Sequence, residues 1–463
     1  MSSSQHIPTR EKIAFGLGDT AANLTWRSLM VFLPFFYTDV FGISAAAVGT
    51  LLLVSRYFDG ISDFIIGLLA DRSNSRWGKF RPWILFTAVP FGVLTVLTFT
   101  TPDFGMTGKL IYAYLTYNLL LLTFTANNVP YSALTGVMSS DPNQRTILTS
   151  YRFFGAFLGA IITQGLNAYL VEALGGGDNV SGYQRTMILF AVLSIVLFFI
   201  TFIGTTERVQ PVAPPKVDWK KGLVEDIKNL VGNRPWLILF GVGLSFVTLT
   251  TLKQGATLYY FKWFVGNVPL SAAFLVFGTL GAMIGAALTG ILVTRYGKKR
   301  VMNVAFIVAG LSSAPLYFAG PDNLVLIFGL SFITEFATGP IVVLFFAMLA
   351  DAADFSEWKT GRRATGLFYS AGTLAIKFGG GIGGAATGWT LTLTGYVPNV
   401  AQTEEALMGI RLVMSWLPAL ACVIGLLVFS FYPLDQAKLF EIKRDLDARH
   451  DADGRTSAPS PAT

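Results

Sequence analysis

Long apolar stretches constrain this chain more than any other feature. A helix needs about 20 mostly apolar residues to cross the hydrocarbon core of a bilayer. About twelve stretches meet that length, near 13–38, 45–69, 82–101, 108–136, 147–171, 186–204, 236–262, 271–294, 301–319, 324–350, 364–393 and 407–432. In lipid every backbone amide must be satisfied within the protein, which leaves helices or closed barrels. Uninterrupted runs of this length fit helices, not ten-residue alternating strands. Composition agrees. Only 13% of the 463 residues are charged, against about 25% in a soluble domain. The expected class is an all-α polytopic membrane protein with twelve transmembrane helices.

Basic residues predict its orientation, because loops rich in Lys and Arg stay on the cytoplasmic side. The loop after the second stretch holds Arg72, Arg76, Lys79 and Arg81. The loop after the eighth holds Arg295, Lys298, Lys299 and Arg300. The alternate loops near 102–108, 263–270, 320–323 and 394–406 hold neither residue type. Both termini are therefore expected in the cytoplasm, with the chain in the cytoplasmic membrane. The net charge of +7 then reflects topology and not affinity for nucleic acid. Residues 1–12 carry no signal-peptide pattern.

The segment 205–235, with its proline cluster, divides the chain nearly in half and reads as a cytoplasmic linker, with a short interfacial helix at 219–230. This predicts one six-helix bundle over 1–204, a second over 236–433, and a cytoplasmic tail over 434–463. The tail begins helically and ends in a polar run, GRTSAPSPAT, expected to be disordered. A weak internal repeat supports two parallel halves. Gly67 precedes Arg72, and Gly290 precedes Arg295, at the same offset. Parallel repeats of this kind place the substrate site between them near the midplane.

Several chemistries are excluded early. The chain has one cysteine, Cys422, and two histidines, His6 and His450, both near the termini. Cysteine- or histidine-based metal or catalytic centres cannot be built from these. There is no phosphate-binding glycine loop of the pump type. An enzyme is not expected, and neither is a cofactor beyond a coupling cation.

Charges inside membrane helices are costly and point to function. Asp59 and Asp63 stand four residues apart, on one helix face about 40° apart. Two such carboxylates cannot both stay ionised without a cation between them or a proton on one. Ser62 flanks the same face. The competing reading pairs Asp63 with Arg56 or Lys377. In the first stretch Asp19, Asn23, Trp26 and Arg27 fall within about 100° of arc. A carboxylate, an amide and an indole on one stripe suit a sugar, while an Asp19–Arg27 ion pair is the alternative. Asn127, Asn128 and Pro130 interrupt the fourth stretch, Arg152 opens the fifth, and Lys377 precedes a glycine run. Lys253 and Glu335 either pair with each other or meet substrate.

The segments FYTDVFG at 36–42, RYFDGISD at 56–63, SRWGKFRPW at 75–83, NVPYSAL at 128–134, GYVPN at 395–399 and FYPLD at 431–435, with Lys377, resemble the glycoside–pentoside–hexuronide:cation symporters of the major facilitator superfamily. The resemblance runs from about Ile13 to Asp435. It implies two six-helix bundles, alternating access, and import of a sugar or glycoside driven by Na+ or H+. By position it implies a cation site at Asp59, Ser62, Asp63 and Thr125. It further implies sugar and coupling roles for Asp19, Asn128, Arg152 and Lys377. A cytoplasmic gating network is implied at Asp351, Asp354, Glu357 and Arg363, joined by Arg145. Asn128 and Ser132 depart from the aspartate and tryptophan of the family's melibiose carrier, and Ser62 from its asparagine. Melibiose-type recognition is not expected, and proton use stands beside sodium. The cations Arg27, Arg152, Lys253 and Lys377 point to an acidic sugar. The partners are a small glycoside, a cation and membrane lipid, with a monomer as the working unit. The alternative is a lysolipid carrier of the same fold.

Overall fold

The computed structural model describes residues 7–73, 75–139, 141–209, 228–361 and 365–452. Among them regular structure is helical, apart from one bridge between Ser75 and Gly78. The helices in order are α1 (Thr9–Arg27), α2 (Ala45–Arg72), α3 (Arg81–Thr98), α4 (Met106–Met138), α5 (Pro142–Gly175) and α6 (Asn179–Gly204). After the linker come α7 (Arg234–Tyr259), α8 (Leu270–Tyr296), α9 (Lys298–Ser313), α10 (Leu324–Thr360), α11 (Thr365–Leu393), α12 (Glu404–Met414), α13 (Trp416–Ser430) and α14 (Gln436–Ala452). Arg363, the 219–230 helix up to 227, and the end of the tail lie outside the described residues.

Eight helical rods among the described residues are long and apolar enough to cross a membrane: α3, α5, α6, α7, α8, α9, α10, and α12 with α13. The remaining long helices, α1, α2, α4 and α11, run for 19, 28, 33 and 29 residues. These four carry the interior polar residues Asp19, Asp59, Asp63, Thr125, Asn128 and Lys377. Large apolar side chains such as Phe86, Ile291 and Leu311 lie exposed, the surface a bilayer requires and water penalises.

Sequence punctuation sets the helix ends. Ser44, Asp178, Asn233, Asn323 and Thr403 each accept a backbone N–H at a helix start, as N-caps do. Gly361, at φ 70°, closes α10 by donating to the Glu357 carbonyl, the left-handed stop that glycine permits. The twelfth apolar stretch is broken at Ser415, where φ is −130° and ψ −76°.

Helices pack in two groups. In the first, α1 lies on α5 and α6, α3 on α4 and α6, and α2 on α4. In the second, α7 lies on α11 and α13, α8 on α10, and α9 on α10 and α13. The groups meet through α2 against α11 and α5 against α8.

The first helix of each group ends alike. Beyond α1 the chain continues through π-helical turns at Ser28–Phe32 and Phe36–Val40, and beyond α7 through one at Tyr260–Phe264. Gly42 and Gly266 follow with φ of 78° and 76°. The closing hydrogen bonds also match: Ile43 N–H to the Tyr37 carbonyl at 2.8 Å, and Asn267 N–H to the Phe261 carbonyl at 2.9 Å. The repeat is thus stronger in backbone geometry than in residue identity. These two ends cross at one pole of the molecule, the Asp39 pole.

Candidate functional site

Asp59 and Asp63 lie one turn apart on α2. Asp59 is fully buried. The Thr125 hydroxyl of α4 is within donating distance of both, at 3.0 Å from Asp59 Oδ1 and 3.1 Å from Asp63 Oδ1. Lys377 reaches the same pair from α11, in the other helix group. Its ammonium is 2.9 Å from Asp59 Oδ1 and 2.6 Å from Asp63 Oδ1, and donates to the Asp59 carbonyl at 3.2 Å. Arg56 approaches Asp59 Oδ2 at 3.5 Å. Two carboxylates thus stand against two side-chain cations in one buried cluster. Ser62 turns its hydroxyl to the backbone. It is buried, and its hydroxyl donates to the Asp59 carbonyl at 2.9 Å.

Lys377 gets there because α11 is stripped of side chains where it meets its neighbours. A methyl at Gly381 would lie 3.1 Å from Arg56 Cβ, and one at Gly379 would lie 2.6 Å from the Leu244 carbonyl oxygen. Glycine allows that close approach between membrane helices.

A second polar group surrounds Asp19. Arg152 Nε donates to Asp19 Oδ2 at 2.7 Å, and Arg152 Nη2 to Ser132 Oγ at 3.2 Å. The guanidinium lies 4.7 Å from the centre of the Tyr131 ring, whose hydroxyl donates to the Phe15 carbonyl at 2.5 Å. Asp19 therefore pairs with Arg152 and not with Arg27, the partner its own helix suggested. Asn23 turns back on α1, donating to the Asp19 carbonyl at 2.9 Å. Trp26 stacks on Phe124 at 4.6 Å, with the Arg56 guanidinium 4.6 Å over its ring. The indole thus touches protein where a sugar platform was expected. Asn128 is part-buried on α4, and its side chain has no hydrogen bond among the described residues.

Lys253 and Glu335 form an ion pair, at 3.1 Å. Lys253 Nζ also donates to Ser331 Oγ at 3.3 Å. Arg27 ends α1 with its Nε buried and without a hydrogen-bond partner among the described residues.

The expected gating residues are distributed differently. Asp351 binds Lys298 at 2.7 Å, a contact inside the second helix group. Arg145 donates to the Ser139 and Gly136 carbonyls at 2.7 and 3.1 Å, capping the end of α4. Asp354 and Glu357 continue along α10, part-buried.

A tighter inter-group network sits at the Asp39 pole, where the sequence offered only the motifs around 36–42 and 395–399. Lys262 donates to Asp39 Oδ1 at 2.8 Å, and the Tyr396 hydroxyl to Asp39 Oδ2 at 2.8 Å. Asn399 Nδ2 donates to the Asp39 carbonyl at 2.6 Å. The Thr38 and Tyr259 hydroxyls are 2.8 Å apart, and Trp263 donates to the Tyr396 hydroxyl at 2.9 Å. Burial pushes the Tyr396 phenol up, and the Asp39 charge adds to the shift, so it stays a donor. Side chains from three distant chain segments converge here. Their separation in sequence hid the network, and the only local signal was a lone aspartate in an aromatic run.

Comparison with known proteins identifies this architecture. Residues 14–436 match the family model described as MFS/sugar transport protein. The chain is 35% identical to the inner membrane symporter YicJ of Escherichia coli, over 93% of this chain and 92% of that one. It is 34% identical to the isoprimeverose transporter of Lactiplantibacillus pentosus, over 96% and 92%. In fold it is similar to a bacterial homologue of the human lysosomal transporter Spinster, solved inward-facing and occupied. There the TM-score is 0.69 at 15% identity, covering 96% of this chain and 98% of the other. The chain belongs to the MFS/sugar transport protein family and is a multi-pass membrane transporter, not an enzyme.

Proposed function

We propose that the chain is a symporter coupling entry of a glycoside to a cation by alternating access. The observation that carries this reading is the Asp59–Asp63–Thr125 cluster, completed by Lys377 from the opposite helix group. Carboxylate and hydroxyl oxygens form the donor set that a hard cation such as Na+ takes, and the carboxylates equally accept a proton. A cation entering here competes with the Lys377 ammonium for the same oxygens. Its binding releases Lys377, and with it one tie between the halves. Coupling thus arises from exchange of one positive charge for another at a fixed pair of carboxylates.

The sugar sits beside this pair, against Asp19, Asn23, Asn128 and Arg152. Hydroxyls pair with these groups, and Trp26 is uncovered as the halves part. An isoprimeverose transporter among the relatives supports a glycoside over a simple ion. A lysolipid would need an apolar cleft in place of this polar stripe.

In this reading α1, α2, α4 and α11 also span the bilayer, giving twelve crossings. Residues 1–204 and 236–433 form the two bundles, 205–235 the linker and 434–463 the tail. Both termini face the cytoplasm, and the Asp39 pole faces outward. The Asp39 network is the outer gate. The charges at Asp351, Asp354, Glu357, Arg363 and Arg145 serve the cytoplasmic side. A single chain is the working unit.

Counterflow in proteoliposomes tests the substrate class. Vesicles loaded with unlabelled glycosides, uronides or simple monosaccharides are offered the labelled compound outside. Transient overshoot with at least one glycoside is expected. Overshoot with none, across the whole panel, overturns the reading.

A further inference from the structure

The end of α8 away from the Asp39 pole carries a charge pattern that the neighbouring side chains do not balance. Helix α9 starts there with Lys298, Lys299 and Arg300 and has no acidic residue in its first turn. A helix N-terminus is the positive end of the helix dipole and favours anions, so three cations there oppose it. Its N-cap is Gly297, which has no side chain to satisfy the first backbone N–H groups. Lys298 is neutralised by Asp351 at 2.7 Å. Lys299 donates to the Tyr432 carbonyl at 2.8 Å, a partner that satisfies a donor and leaves the charge. Arg300 is exposed and has neither an ion pair nor a hydrogen bond among the described residues.

These residues edge a cavity of about 470 Å³, walled by the end of α8, the start of α9, Met348 of α10 and the beginning of the tail helix α14. Asn303 lines it with its amide oxygen buried and unpaired. Asp435 stands in the same wall but already caps α14, accepting from the Lys438 N–H at 2.8 Å. Setting Asp351 and Asp435 against the three cations leaves the group one positive charge in excess. Tyr296, Arg300 and Val304 also line a second cavity, of about 320 Å³. That one is a groove between α8, α9 and α10, floored by apolar residues such as Val308, Phe336 and Pro340. Ile291, Ile307 and Leu311 lie exposed on the same two helices, α8 and α9, an apolar surface of the kind that faces acyl chains.

We propose that this pair of cavities binds one anionic glycerophospholipid from the adjoining leaflet, its phosphate on Arg300, Lys299 and the start of α9 and one acyl chain in the groove. The occupant is a lipid because the basic chamber and the apolar groove share a wall, and basic pockets between membrane helices suit anionic headgroups. Arg300 meets a phosphate through two parallel N–H donors. A zwitterionic lipid offers the same phosphate, but its ammonium adds a cation to a group already in excess, so the site selects net negative charge. The bound lipid ties α9 to the tail. The tail is itself held to α10 by Lys438 over the Trp358 ring at 4.4 Å and by the Trp358 indole donating to Asp445 at 3.1 Å. None of this depends on which solute the carrier moves.

The test is native mass spectrometry of the full chain in detergent, titrated with phosphatidylglycerol or with phosphatidylcholine of the same acyl chains. Wild type should bind the first phosphatidylglycerol about tenfold or more tightly than phosphatidylcholine, the scale of a charge-assisted hydrogen bond. R300Q should lower that preference about fivefold, the attraction of an anionic lipid surface for one basic group. K299Q should lower it likewise, and remains readable should R300Q fail to fold. R295Q removes an equal charge nearby from a residue that lines neither cavity, and should keep the preference. Val304→Trp fills the groove from an exposed position with every charge in place, and should weaken phosphatidylglycerol binding. Glycerol 3-phosphate in large excess should not displace the lipid. Equal binding of the two lipids by wild type overturns the proposal, as does an unchanged preference in R300Q or K299Q. A fall in R295Q as large as in R300Q means diffuse surface charge and overturns it too. Unchanged binding in Val304→Trp, or displacement by glycerol 3-phosphate, means that the groove holds no acyl chain and overturns the lipid assignment.

Discussion

At the residue scale, the arrangement depends on charges that neutralise one another inside the membrane. Asp19 and Arg152, at 2.7 Å, illustrate the consequence. In Asp19→Asn the Arg152 guanidinium loses its counter-charge while remaining largely buried. Removing one member of a buried pair costs about 3 kcal/mol or more. The variant should lose thermal stability in detergent by that order and lose sugar binding. Adding Arg152→Gln to it should partly restore the stability, since the pair is then neutral, but not the binding. A D19N protein as stable and as tight-binding as wild type would remove Asp19 from the site. The sequence made some of this legible and hid the rest. Helical spacing alone puts Asp59 beside Asp63, and Asp19 on the stripe of Asn23 and Trp26. It cannot show that Lys377 stands between the carboxylates, or that Arg152 displaces Arg27 as partner of Asp19, because those residues arrive on other helices. Nor can it show that Trp26 is covered by Phe124 and Arg56, because stacking is decided by packing between α1, α2 and α4.

At the element scale, the proposed motion centres on α11 and the two π-helical ends. Gly388 of α11 crosses Gly49 of α2 so closely that a Cβ there would lie 2.8 Å from the Gly49 backbone nitrogen. In the proposed alternating access, that crossing is made while the two helix groups are closed near the Asp39 pole. Gly388→Ala should therefore disfavour the closed pole without touching any charge. Asp39→Asn should act in the same direction by a different route, since it breaks the Lys262 pair and weakens the Tyr396 bond. A loss of about 2 kcal/mol would change the ratio of closed to open molecules about thirtyfold. A cysteine at Thr257, buried on α7 below the lock, reports this in a Cys422→Ser background. Its reaction with an impermeant reagent from outside should speed up in both variants. Unchanged labelling in both would mean that the Asp39 network holds a static joint and that the outer gate lies elsewhere. The helices themselves were legible from apolar length. Their junctions were not, because the matching π turns before Gly42 and Gly266 share backbone form and little sequence.

At the scale of the whole molecule, the proposed symport links cation binding to sugar movement because both would loosen ties between the same two helix groups. Lys377 on the Asp59–Asp63 pair and Lys262 on Asp39 are such ties, at different depths of one seam. A carrier with these ties can be biased by a few kcal/mol in either direction, which suffices to shift a two-state population substantially. The most direct test is uptake of a labelled glycoside into proteoliposomes under an inward Na+ gradient or an inward H+ gradient, for wild type and Asp59→Asn. Wild type should accumulate sugar above its outside concentration with at least one of the gradients. Asp59→Asn should exchange sugar across the membrane but never concentrate it. Accumulation by Asp59→Asn equal to wild type would contradict this coupling, and so would wild-type uptake indifferent to both gradients.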